Sequence, residues 1–294
     1  MLSNIAYRLK QPNYDLVKQY LDRNDTKFDF KCMDSRWNRY NNALQRELEY
    51  KAASSKSDPD CSELNMSIQC ILLMANNIGV RGYFERYIVL EDDTILETDT
   101  IHSFLSIYKG ALMTTIPNYQ NLCKELGIKG AFSKELRKII DSKEFLLPDE
   151  NLLNSFTEFA ALVHSLGNFN IGPLYFNCKS KYSKAKMVSP KNWVEFDRID
   201  LFLKRVTLNP DLSEWLSWFS RNIYTTYLAW NSTSCIDGYF NEIKATTDGW
   251  VDLAQSELKN LGIDNGINSR IELTNNLIIN RGKQMMNVLF NSVH

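Results

Sequence analysis

The feature that most constrains this chain is the recurrence of apolar residues at three- and four-residue steps. Leu152, Phe156, Phe159, Ala160 and Val163 form one such stripe, with Asp149 placed to cap it and Gly167 placed to stop it. Leu212, Trp215, Leu216, Phe219, Ile223 and Tyr227 form a second, opened by the Asp211–Glu214 capping pattern. Two more helices are expected at Trp250–Leu261 and Ile271–Phe290, the latter with Gly282 as its weak point. Earlier in the chain the same reading places helices at Tyr14–Leu21, Asn42–Ala53, Glu63–Asn77, Thr100–Met113 and Lys134–Asp141. Seven prolines and twelve glycines in 294 residues are too few for an all-β protein built on tight turns.

Strand signals are sparse. Phe84–Leu90 is rich in β-branched and aromatic residues, and Glu91-Asp92-Asp93 is suited to turn it into a partner at Thr94–Leu96. Thr26–Lys31 alternates Phe28 and Phe30 with polar residues, and Leu174–Cys178 is a third candidate. The expected fold class is therefore α+β, predominantly helical, with a small antiparallel sheet or hairpin. Ser54–Asp60 and Lys179–Asn192 read as polar loops, and neither has the character of a long linker. A single domain over residues 1–294 is favoured. The other division is a mixed α/β part (1–120) followed by a helical part (121–294).

Net charge is −1, which excludes a whole-surface electrostatic trap for nucleic acid or anionic lipid but not a local patch. No apolar run approaches the ~18 residues that cross a bilayer, so no membrane partner is expected. Residues 1–10 lack a basic start followed by an apolar stretch, so no secretory leader is expected. Six scattered cysteines without a Cys-x-x-Cys pair fit neither a zinc site nor a disulfide framework, and a reducing cytoplasm is the expected location.

Histidine is limited to His102, His164 and His294. His164 follows a helical stripe and precedes the turn Ser165–Asn170, where it is placed either as a general acid/base or as a cap on its own helix. Glu91, Asp92, Asp93, Glu97 and Asp99 crowd one strand end. Asp92 and Asp93 are the candidate ligands for a divalent metal, with turn formation as the competing role. Lys179, Lys181, Lys184, Lys186 and Lys191 occupy a polar segment with no acid among them, and together with Asn168 they are the candidate phosphate contacts for a nucleic acid or nucleotide. Trp218 and Tyr224 fall off their helix's main stripe and are candidates for the interface with a protein partner or a second copy of the chain. No phosphate-cradling glycine motif of the P-loop or dinucleotide-binding type occurs, nor does a Gly-x-Ser-x-Gly elbow.

Four stretches together carry a family resemblance: Phe28-Asp29-Phe30, Asp58-Pro59-Asp60, His164-Ser165-Leu166-Gly167-Asn168-Phe169, and Phe196-Asp197 with Asp200-Leu201. The chain resembles in these a bacterial family of uncharacterised cytosolic proteins that pair FDF and DPD segments with a later H-[ST]-[IL]-G-[NG] segment. The resemblance spans about Phe28 to Val206, and Asn170-Ile171-Gly172-Pro173 departs from the family's apolar-Pro stretch. It implies a site at Asp29, Asp58, Asp60 and His164 without naming a reaction. The expected function is a bacterial or phage accessory protein that engages nucleic acid or a nucleotide, with phosphate-directed chemistry at these residues. The competing expectation is a non-catalytic interaction module within a larger assembly.

Overall fold

The computed structural model describes residues 8–33, 37, 42–52, 59–100, 102–104, 107–108, 111–112, 118, 121, 124–125, 127, 150–173 and 263–294. Within them the order of elements is α1 (Tyr14–Leu21), α2 (Ala43–Ala52), α3 (Glu63–Ala75), β1 (Val80–Phe84), β2 (Tyr87–Leu90), β3 (Ile95–Thr100), α4 (Glu150–Leu162), β4 (Phe169–Pro173) and α5 (Ile263–Val293). The fold is α+β and mostly helical, with a small antiparallel sheet.

Local chemistry sets the helix starts. The Asn13 side chain accepts from the Leu16 N–H to open α1, and Ser62 accepts from the Asn65 N–H to open α3. Every residue of α3 from Leu64 to Leu73 is buried, which makes it the central helix, enclosed by α1, α5 and the sheet. In α5 the buried positions Ile271, Thr274, Asn275, Ile278, Arg281, Met285 and Leu289 recur at helical steps and define the face turned to the core.

The sheet order is β1-β2-β3-β4, with every neighbouring pair antiparallel. Lys10 adds a two-bond bridge to Tyr83 at the β1 edge. Gly82, at φ +145°, permits this approach, because a Cβ there would lie 2.7 Å from the Lys10 carbonyl oxygen. One apolar cluster joins Val17, Tyr20, Phe30, Leu64, Ile68, Leu166, Phe169, Met285 and Leu289. Described residues from both sides of position 120, from Val17 to Leu289, thus share a core.

Several local expectations are corrected. Phe84–Leu90 is not one strand: it breaks at Glu85-Arg86, where Glu85 takes a left-handed φ of 49° and Phe84 pairs with Tyr87. Thr26–Lys31 forms no strand, because Phe30–Met33 winds into a 3-10 turn. That turn drives both Phe30 and Lys31 into the interior instead of alternating them between core and solvent. The helix expected from Thr100 starts later, since Thr100 ends β3 opposite Phe169, and the described helical residues begin at Phe104. Gly282 does not interrupt α5, which runs unbroken through it. Leu174–Cys178, Lys134–Asp141, Leu212–Tyr227 and Trp250–Leu261 lie outside the described residues.

Candidate functional site

A buried polar cluster forms where three distant segments meet. The Phe28-Asp29-Phe30-Lys31 segment is tied to the end of α4 by a hydrogen bond from the Phe30 N–H to the His164 carbonyl at 2.9 Å. The Phe30 ring packs edge-on against Phe169 at 5.0 Å and against Tyr20 at 5.4 Å, so the apolar core fixes the segment on both sides. Asp60 sits in the one-turn 3-10 helix Pro59–Cys61, and its backbone carbonyl accepts from Asn65 Nδ2 at 2.8 Å and Thr98 Oγ1 at 2.7 Å. Helix α3 and strand β3 therefore hold the Asp60 backbone from two directions.

Within this frame Lys31 and Glu47 form an ion pair that is almost wholly shielded from water, at 0% and 1% side-chain exposure. A second pair, Arg46 with Asp29, lies next to it and nearer the surface. The Asp29 carboxylate also accepts from the Lys31 N–H at 2.9 Å. His164 lies between two carboxylates: Nε2 is 3.6 Å from Glu47 Oε1, and Nδ1 is 3.6 Å from Asp60 Oδ1. Those separations are ionic rather than close hydrogen-bonding ones. Among the described residues, three carboxylates (Asp29, Glu47 and Asp60) and two fixed cations (Lys31 and Arg46) thus gather around His164.

This arrangement suits proton transfer. One carboxylate orients the ring through one nitrogen while the other nitrogen takes or gives a proton. It does not suit a metal shared by the three groups, because Glu47 and Asp60 approach opposite edges of one ring. Among the described residues no group of three or more His, Cys, Asp or Glu side chains is arranged to hold a metal ion.

The structure thus brings together Asp29, Asp60 and His164, three residues singled out in the sequence. Asp58 lies outside the described residues, as do Lys179, Lys181, Lys184, Lys186, Lys191, Trp218 and Tyr224. Asp92 and Asp93 are exposed in the β2–β3 turn and are occupied there. Asp92 accepts from the Thr94 N–H at 3.0 Å, while Asp93, at φ 68°, pairs with Arg81 at 2.6 Å.

Asn168, a candidate phosphate contact, is wholly buried and its amide is spent on the backbone. Oδ1 accepts from the His102 N–H at 2.9 Å, and Nδ2 donates to the carbonyls of His102 at 3.0 Å and Val163 at 2.7 Å. The amide is a strut that locks the end of α4 to the segment after β3. Asn168→Leu keeps approximate volume but strands three backbone groups, so a loss of about 3 kcal/mol or more is expected in urea denaturation. A loss below about 1 kcal/mol overturns the strut assignment.

Sequence reasoning missed Lys31, Arg46 and Glu47. Arg46 and Glu47 sit in the charged run Gln45-Arg46-Glu47-Leu48-Glu49, which reads as a solvated helix face. Lys31 appears on the polar phase of an alternating segment. The single usable signal was Lys31 directly after the Phe-Asp-Phe motif, because a lysine carried inward with a neighbouring phenylalanine needs a partner. No family model, no curated protein and no solved structure matches the chain.

Proposed function

We propose that this chain is an enzyme of the bacterial cytoplasm that carries out acid–base chemistry on a phosphate-bearing substrate, a nucleotide or a nucleic acid. His164 is the catalytic acid/base: Glu47 is the positioning residue that orients its ring from the Nε2 side, and Asp60 is the carboxylate with which Nδ1 exchanges its proton. The observation that carries the reading is the convergence of Asp29, Asp60 and His164 with Lys31, Arg46 and Glu47 in one buried cluster. Burying charge costs several kcal/mol per ion, and a purely apolar packing of the same space is commonly as stable or more so. Ionisable groups assembled at that cost concentrate at functional sites.

The test combines native mass spectrometry of gently purified protein with turnover assays on mononucleotides, dinucleotides, RNA and DNA. A bound phosphate compound or turnover is expected, with His164→Asn lowering the rate by about 100-fold or more while the protein still melts cooperatively. If no substrate in the panel is bound or turned over, the reading is overturned. If His164→Asn leaves the rate intact, His164 loses its assignment.

A further inference from the structure

We propose that Arg46 is the anion-recognition residue of this site, binding a phosphate-type oxyanion through the Nη1 edge of its guanidinium. The inference rests on the proposed function for its substrate class but not for its geometry. The charged cluster is graded in depth: Lys31, Glu47 and His164 are 1–2% exposed, Asp60 5%, and Asp29 and Arg46 7% and 9%. Arg46 and Asp29 therefore form the rim on the water side.

Arg46 Nη2 is committed to Asp29, but the acceptor facing Nη1 is the Cys32 sulfur at 3.4 Å. A thiol is a weak acceptor, and a guanidinium edge offers paired donors shaped for carboxylate or phosphate oxygens. An anionic oxygen entering there exchanges a weak contact for a charge-assisted one. The Asp29 carboxylate does not block this, since the Lys31 N–H and Arg46 Nη2 already engage it. Lys31, the cluster's other fixed cation among the described residues, is held on Glu47 in the interior. Among the described residues, Arg46 is thus the cation of the cluster that an incoming anion meets first.

Cys32 supplies the readout. Its thiol is partly exposed. Burial and the neighbouring Asp29 push it above its ordinary range, against the opposing pull of Arg46 and Lys31. An oxyanion on Arg46 both covers the thiol and weakens that pull, and each effect slows alkylation.

The experiment is peptide-resolved alkylation of the full chain by iodoacetamide at about pH 8. Inorganic phosphate is titrated against chloride at constant ionic strength. Cys61, also partly exposed, is the comparator. Cys70, buried and pushed up to about 12, reports an intact fold by staying unreacted.

Phosphate is expected to slow Cys32 alkylation saturably, by about threefold or more, with no matching change at Cys61 and no effect in Arg46→Gln. Phosphate-independent labelling of Cys32, or equal protection in Arg46→Gln, overturns the proposal. If Cys70 reacts in Arg46→Gln, the fold is lost and Arg46→Lys decides. Lysine keeps the charge without the fork, so weaker protection supports the proposal and unchanged protection overturns it. Protection without turnover of any substrate leaves Arg46 in place and overturns the catalytic reading. Turnover without protection removes Arg46 alone.

Discussion

Gly167→Ala is expected to destabilise the protein by about 3 kcal/mol or more, enough to leave a marginal domain largely unfolded. Gly167 lies in the 3-10 turn Leu166–Asn168, directly against the backbone of α5. A Cβ placed on it would overlap the Ile278 carbonyl oxygen and come within 2.8 Å of the Gly282 nitrogen. Both obstacles are main-chain atoms of a regular helix, so no side-chain rotation relieves the clash. The whole helix must move, which also disturbs the bonds from Arg281 Nη1 to the carbonyls of Gly167 at 2.6 Å and Phe169 at 2.7 Å.

The facing glycine behaves oppositely. A Cβ on Gly282 meets Gly167 N at 3.4 Å and Thr26 Cβ at 3.5 Å, which is ordinary packing distance. Alanine there gains up to about 1 kcal/mol of helix propensity. Gly282→Ala is therefore expected to be neutral or mildly stabilising. Urea melts of the two variants check the pair, and equal effects of the two substitutions would remove the close-approach explanation.

The second large effect concerns the interior ion pair. Lys31→Met takes the ammonium away from buried Glu47, and Glu47→Leu takes the carboxylate away from buried Lys31 while also removing one neighbour of His164. Each single substitution is expected to cost about 3–5 kcal/mol, far above the ~0–1 kcal/mol of a surface pair. The double variant, Lys31→Met with Glu47→Leu, removes both charges and is expected to be more stable than either single variant. Chemical denaturation of the four proteins closes the thermodynamic cycle. Single-variant losses below about 1 kcal/mol would mean that water reaches the pair. The same double variant bears on function, because a purely structural ion pair tolerates apolar replacement whereas a site that orients His164 through Glu47 does not.

Much of the local structure was legible because it depends on short-range physics. The helix at Tyr14–Leu21 follows from the Asn13 cap and its apolar face, and Glu150–Leu162 follows from its stripe. The hairpin turn at Asp92-Asp93 follows from turn chemistry, because an aspartate accepts locally from the backbone and tolerates positive φ. Legibility failed where burial overrode periodicity. Thr26–Lys31 alternates like a half-exposed strand, but a 3-10 turn inserts both its phenylalanine and its lysine into the interior. The split of Phe84–Leu90 was hidden because Glu85-Arg86 carries no glycine, asparagine or proline to announce a turn.

The site divides in the same way. His164, Asp29 and Asp60 were visible as residues set in short motifs, and nothing in their spacing placed them together. Their meeting depends on the Phe30 N–H reaching His164, on α3 and β3 gripping Asp60, and on α2 presenting Glu47 to the ring. By itself the sequence determined the helical character, the near-neutral charge and the presence of a small sheet, since each rests on composition or on neighbours a few residues apart. Only the tertiary structure decided that Lys31 and Glu47 are interior ions, that Gly167 is a contact point between backbones, and that Arg46 stands at the rim. Those properties depend on which distant segments exclude water from one another, and no short window of sequence contains that information.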